Sequence, residues 1–149
     1  MYFMKGLNAT MQQKGGDIMS CFIQNSVSKV QNTSDASPTE YLIYQDRTDL
    51  FRIPIQSILY LESQNYMVNL HTPTAVYSIR ITLKELENIL VTKGFFRIHM
   101  SYLVNLEHIV HAGVTDVELD NGEQLKISRN RKAAFQQALY AFIDKYQYI

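Results

Sequence analysis

Three groups of side chains in this 149-residue chain have types and spacing that could do chemistry. The first is the run Ser128-Arg129-Asn130-Arg131-Lys132, where three cations and two short polar side chains fall together. At a helix start, a hydroxyl, the free backbone N–H groups and the cations can converge on a phosphate. An arginine there can also make a bidentate contact with guanine in a major groove. The second group is His99 with Ser101, a base near a hydroxyl. No acid stands at a spacing that would orient the imidazole, so nucleophilic catalysis is not expected. The third is His108 and His111 beside Glu107. These bracket the entry to an apolar strand rather than sharing one helical face, and no second cluster adds ligands, so no metal site is expected. The glycines at 6, 15, 16, 94, 113 and 122 are scattered in turns and form no phosphate loop or nucleophile elbow. Neither an enzyme, a cofactor nor a small-molecule substrate is expected.

The elements that must position these groups are mostly short strands. Tyr41–Tyr44, Leu50–Ile53, Ile58–Leu61, Tyr66–Leu70 and Ala75–Ile79 are apolar or alternating runs separated by polar turns, with Pro54 closing the second. One helix interrupts them. Thr82 with Glu85 has capping-box spacing, Leu83, Leu86, Ile89 and Leu90 fall on one face, and Gly94 is the stop. Strands follow at Phe95–Ile98, Tyr102–Val104, Ile109–Ala112, Val114–Leu119 and Gln124–Ile127, the last two joined by the hairpin signal Asn121-Gly122. Ser128 is expected to cap a terminal helix striped by Ala134, Phe135, Ala138, Leu139 and Phe142. The fold class is therefore mainly β with few helices, and no strand–helix alternation supports a parallel doubly wound sheet.

Residues 1–40 differ in texture. Gly15-Gly16 and the polar run from Gln31 to Pro38 read as connector, and Asp17–Val30 as a mobile leader or a short amphipathic helix. The expected division is a leader or linker at 1–40 and one domain at 41–149. No apolar stretch approaches a membrane span or a signal-peptide core, so a cytoplasmic location is expected. A single cysteine, Cys21, excludes an intramolecular disulfide framework.

The charges cancel, 14 Lys+Arg against 14 Asp+Glu. Phosphate contact depends on local clustering rather than on that total. Lys126, Arg129, Arg131 and Lys132 form an acid-free stretch, while Asp116, Glu118, Asp120 and Glu123 gather just before it.

Five segments stand out in order and spacing: Ile58-Leu-Tyr-Leu-Glu-Ser63, Arg80-Ile-Thr-Leu-Lys-Glu-Leu86, Phe95-Phe-Arg-Ile-His-Met-Ser-Tyr-Leu-Val-Asn105, Leu119-Asp-Asn-Gly122 and Ile127-Ser-Arg-Asn-Arg131. Together they resemble the LytTR family of bacterial DNA-binding domains. The resemblance spans roughly residues 41–145. It implies an elongated antiparallel β fold that inserts loops, not a recognition helix, into successive major grooves, bending the duplex. It also implies two protomers, a homodimer on DNA, occupying paired repeats in double-stranded DNA to regulate transcription.

Carried onto this sequence, the resemblance places Gln64 and Asn65 (with Tyr66 beside them), His99, Met100 and Arg129 toward the bases. Gln and Asn suit adenine and Arg suits guanine. Arg97, Ser101, Tyr102, Lys126, Ser128, Asn130, Arg131 and Lys132 are the expected phosphate contacts. Asn105 is expected to cap the turn Leu106-Glu107-His108. Met100 stands where family members usually carry Arg or Asn, which substitutes an apolar contact, such as one to a thymine methyl. Family members usually carry a receiver domain of roughly 120 residues, which forty residues cannot hold. The expectation is either a stand-alone regulator, controlled by an accessory or membrane protein, or a shortened piece of a longer chain. The rival reading is a protein-interaction module on the same fold with weakened DNA binding.

Overall fold

The computed structural model describes residues 20–26, by their backbone alone, and residues 38–144. The chain divides into two compact units, residues 1–57 and 58–149.

In the first unit, β1 (Ser20–Ser26), β2 (Thr39–Gln45) and β3 (Leu50–Pro54) form an antiparallel sheet in that order. The register runs from Ser20 opposite Gln45 to Ser26 opposite Thr39. Residues 20–26 are therefore a strand, not part of the expected helix. The edge of β2 supplies the backbone partners that an isolated short helix would have to find within itself. The rest of the expected 17–30 helix lies outside the described residues. Asp46 organises the β2–β3 turn: its Oδ1 accepts from the backbone N–H groups of Thr48 and Asp49 at 3.0 and 2.8 Å. Those backbone donors hold its carboxyl below the usual aspartate range.

The second unit is built on a five-stranded antiparallel sheet. Its strands are β4 (Tyr60–Gln64), β5 (Met67–His71), β6 (Val76–Ile79), β7 (Phe95–His99) and β8 (Tyr102–Asn105), in the order β6-β5-β4-β8-β7. Alternation separates its faces. Leu61, Leu70 and Leu103 are cross-strand neighbours on one face; Tyr60, His71 and Val104 are neighbours on the other. The helix α1 (Leu83–Leu90) packs against β4 and β7 and buries Leu83, Leu86 and Leu90. Each such leucine is worth about 1.5–3 kcal/mol of transfer free energy. Its capping box forms as expected: Glu85 N–H donates to Thr82 Oγ1 at 3.1 Å, and Thr82 Oγ1 donates to Glu85 Oε2 at 2.8 Å. Gly94 ends the element with φ 91°, and a Cβ there would meet Phe142 at 3.2 Å.

A second antiparallel sheet, β9 (Ile109–Ala112), β10 (Asp116–Leu119) and β11 (Gln124–Lys126), precedes the terminal helix α2 (Lys132–Ile143). Leu59, Tyr60, Ile98 and Val104 from the central sheet region share a core with Val117, Leu119, Leu125, Ile127 and Phe135. Phe135 is 1% exposed, and Leu139 and Phe142 pack on the same core. Asn105, at 3% exposure, is the buried polar side chain among the described residues. Its Nδ2 donates to Ile58 O at 2.9 Å and its Oδ1 accepts from Glu107 N–H at 3.0 Å, which caps the 3-10 turn Leu106–His108 as expected.

Candidate nucleic-acid interface

Strand order decides where the loops fall. β4 and β8 are antiparallel neighbours, with Glu62 opposite Tyr102, so the end of β4 lies beside the start of β8. The β4–β5 and β7–β8 tips are therefore adjacent at one end of the sheet. A backbone bond from Ser63 N–H to Ser101 O, 2.9 Å, joins them. On the far side of β7, Ser128 N–H donates to Ile98 O at 2.8 Å, and Arg131 Nη1 reaches Arg97 O at 3.4 Å. Three segments distant in sequence, 63–66, 97–101 and 128–131, are thus hydrogen-bonded into one row.

The β4–β5 tip is a two-residue turn in which Asn65 and Tyr66 both have positive φ, 51° and 65°. Such turns match the right-handed twist of their strands, but they favour Asn-Gly. Asn tolerates this conformation; tyrosine pays steric strain for it. Tyr66 is nonetheless 94% exposed, so no packing of the fold requires it. Gln64 Oε1 accepts from Asn69 Nδ2 at 3.2 Å, and Asn69 Oδ1 accepts from Ser78 Oγ at 2.6 Å. This chain holds the Gln64 side chain by its oxygen, and the residue is exposed.

The β7–β8 turn is built differently. Met100 and Ser101 connect His99 and Tyr102, and neither has positive φ. Two-residue turns of this kind splay their strands, and the register here shifts through a bulge between Arg97 and His99. Arg97 braces the turn with three nitrogens: Nε to His99 O at 3.1 Å, Nη2 to Met100 O at 2.6 Å and Nη1 to Glu87 Oε1 at 3.0 Å. Its side chain is 15% exposed. Arg97 was expected to contact phosphate; its guanidinium is instead engaged beneath the turn, because the carbonyls there need donors. Met100 is 72% exposed at the summit.

His99 Nδ1 accepts from Ser101 N–H at 3.1 Å, so the ring proton sits on Nε2 as a donor. That bond uses the Ser101 backbone, not its hydroxyl, and no nucleophile–base pair forms. Tyr102 was an expected phosphate donor; burial and the neighbouring Glu62 carboxylate raise its pKa. Tyr60, beside it, is likewise pushed upward by burial, then by its hydrogen bond to Glu123. Its ring stacks on His71 at 4.1 Å.

The basic segment also departs from expectation in detail. Ser128 was expected to cap the terminal helix, but it makes no side-chain cap bond. A 3-10 turn, Arg129–Arg131, intervenes, and Ser128 Oγ donates to Asn130 Oδ1 at 2.6 Å. Both side chains thereby shape this turn. Lys132 Nζ donates to Val114 O at 2.7 Å and braces the β9–β10 loop. Arg129 and Lys126 are exposed and make no ion pair or side-chain hydrogen bond among the described residues. Within this segment they are the cations most available to an anionic ligand.

Sequence reasoning missed Glu87, whose link to Arg97 crosses from helix to strand and leaves no local spacing signal. The strain at Tyr66 was equally hidden, since Asn-Tyr is not a standard turn pair. Among the described residues no group of three metal-ligating side chains gathers, and no helix is long and apolar enough to cross a membrane.

Residues 48–140 match the family described as the LytTr DNA-binding domain. Among solved structures, the chain is similar to the LytTr DNA-binding domain of a methyl-accepting/DNA response regulator from Bacillus cereus. That likeness has 22% identity and a TM-score of 0.57, covering 66% of this chain and 95% of that one. No curated protein sequence matches.

Proposed function

Since this chain belongs to the LytTr DNA-binding domain family, as the match over residues 48–140 establishes, we propose that it reads double-stranded DNA through its three joined loop segments and regulates transcription. The observation that carries this reading is the row itself: Ser63–Ser101 and Ser128–Ile98 backbone bonds align the 63–66, 98–101 and 128–131 segments. Loops aligned on rigid strand ends can enter major grooves with little ordering cost.

In this reading Gln64, Asn65, His99, Met100 and Arg129 face bases. The Gln64 amide and the His99 Nε2–H donate to acceptors on base edges, and Arg129 pairs with guanine O6 and N7. Met100 offers an apolar surface to a thymine methyl. Lys126 and Arg131 neutralise phosphates, with Lys132 and Ser101 beside them. Arg97 and Tyr102 hold the turn rather than the phosphate. Three or four phosphate contacts per protomer give a salt slope of about −3 for one protomer and about −6 for two. A single neutral domain with so few contacts binds modestly, which favours two protomers on paired repeats. The working location is the cytoplasm, with the DNA.

The test is selection of bound sites from random duplexes at two salt concentrations. Enrichment of a paired repeat with steep loss on adding salt is the expected result; absence of enrichment by the folded protein at low salt would overturn it. The exposed Tyr66 and Met100 favour one second reading, a protein-interaction surface, whose binding would change little with salt.

A further inference from the structure

The base-reading turn of the β7–β8 hairpin does not draw its shape from the positive-φ preference that favours two-residue hairpin turns. Met100 and Ser101 lack the positive φ that matches a two-residue turn to strand twist. Packing holds only its flank, where the His99 ring rests against Tyr102 at 5.4 Å, and not its summit, where Met100 projects into solvent. What remains is hydrogen bonding: Ser63 N–H to Ser101 O, Ser101 N–H to His99 Nδ1, and the two Arg97 bonds to His99 O and Met100 O. Half of that set depends on where one long side chain points. Free arginine side chains sample many rotamers, and ordering one costs up to about 2 kcal/mol. The Arg97 guanidinium is ordered by its third nitrogen, which binds Glu87 Oε1 at 3.0 Å. Glu87 stands on α1, whose Leu83, Leu86 and Leu90 are buried.

We propose that Glu87 is the positioning residue of the base-reading turn: through Arg97 it couples the anchored helix α1 to the backbone at His99 and Met100. This rests on the DNA-reading assignment for its functional consequence, but not for its structural one. It also makes a prediction of opposite sign to simple electrostatics. Removing an acid near a polyanion should strengthen binding. Removing the brace should weaken binding to the selected site and spare non-specific binding, which uses phosphates alone.

The experiment uses the full chain carrying Glu87→Ala or Glu87→Gln. Amide hydrogen exchange at Ser101 is measured in the free protein, and affinity is measured for a selected duplex and a scrambled one across a salt series. Glu87→Ala is expected to speed Ser101 exchange about tenfold and to weaken selected-duplex binding about tenfold, the range set by a charge-assisted hydrogen bond. Scrambled-duplex affinity and the salt slope stay as in the wild type. Glu87→Gln keeps an acceptor for Nη1 and recovers part of both losses; it also carries the test if the alanine variant melts. Unchanged Ser101 exchange in both variants overturns the proposal, as does tighter selected-duplex binding in Glu87→Ala. Failure of the wild type to discriminate the two duplexes overturns the DNA-reading assignment instead, and the exchange result then decides the brace alone.

Discussion

Replacing Tyr66 by glycine should make the protein more stable and a poorer DNA binder at once. Tyr66 has φ 65° at the second position of its turn and is 94% exposed. A side chain in the left-handed region costs about 1–2 kcal/mol, and glycine removes that cost. Glycine also gives the unfolded chain extra freedom, which takes back about 0.5–1 kcal/mol. The net gain is about 0.5–1 kcal/mol, or a rise in Tm of about 2–5 °C for a domain of this size. For binding, covering half of a tyrosine removes on the order of 80 Å² from water, at most about 2 kcal/mol, of which ordering and imperfect fit leave about 1 kcal/mol. That is a fivefold loss of affinity. Thermal melting and titration of a fluorescent selected duplex, on the same preparation, read both quantities. A Tyr66→Gly protein that melts higher and binds as well as the wild type would refute the reasoning, because the strain would then serve no contact.

Arg129→Ala should cost about 1–3 kcal/mol at one base position and relax the preference there, read by repeating the site selection. Lys126→Ala should instead weaken every duplex alike and flatten the salt slope by about one unit. In the core, Asn105→Ala should destabilise by about 2–4 kcal/mol in urea unfolding, since it strands the Ile58 carbonyl and the Glu107 N–H together. Tyr60 gives a pH prediction: its folded pKa lies above the unfolded tyrosine value of about 10. Its contribution is complete below that pH and is lost as pH rises beyond it, by up to about 1.4 kcal/mol per pH unit. Tyr60→Phe should reduce this alkaline slope, measured by denaturant unfolding at successive pH values.

Much of the fold was legible because its signals are local. The Thr82/Glu85 box needs three residues of separation, and the Asn121-Gly122 turn needs none; both form, the latter as a longer loop between Leu119 and Gln124 in which Gly122 alone takes positive φ, 92°. The run 95–105 marked the β7–β8 hairpin. The parts that were not legible depend on partners far along the chain. β1 is a strand because β2 offers it an edge, a fact absent from its own periodicity. Arg97 looks like any cation in a basic neighbourhood until the bulge turns two carbonyls toward it. Ser128 has the right type for a cap, but the following turn is 3-10, and Asn130 takes its hydroxyl.

The bulge between Arg97 and His99 has a consequence for anyone engineering this hairpin. Side chains alternate along a strand, so one inserted residue reverses which face each later residue presents. In the proposed reading, the identities at His99 and Met100 set the chemistry offered to DNA, and the bulge sets the direction in which it is offered. Transplanting turn residues from a regular hairpin, with no inserted residue, would aim them half a strand period away and leave the recipient silent whatever its chemistry. A one-residue deletion at Ile98 would do the same from within, and would also withdraw the carbonyl that receives Ser128. Altered target preference is therefore more readily reached by substitution at the tip than by length change, and libraries built on this scaffold should hold the residue count of the hairpin constant.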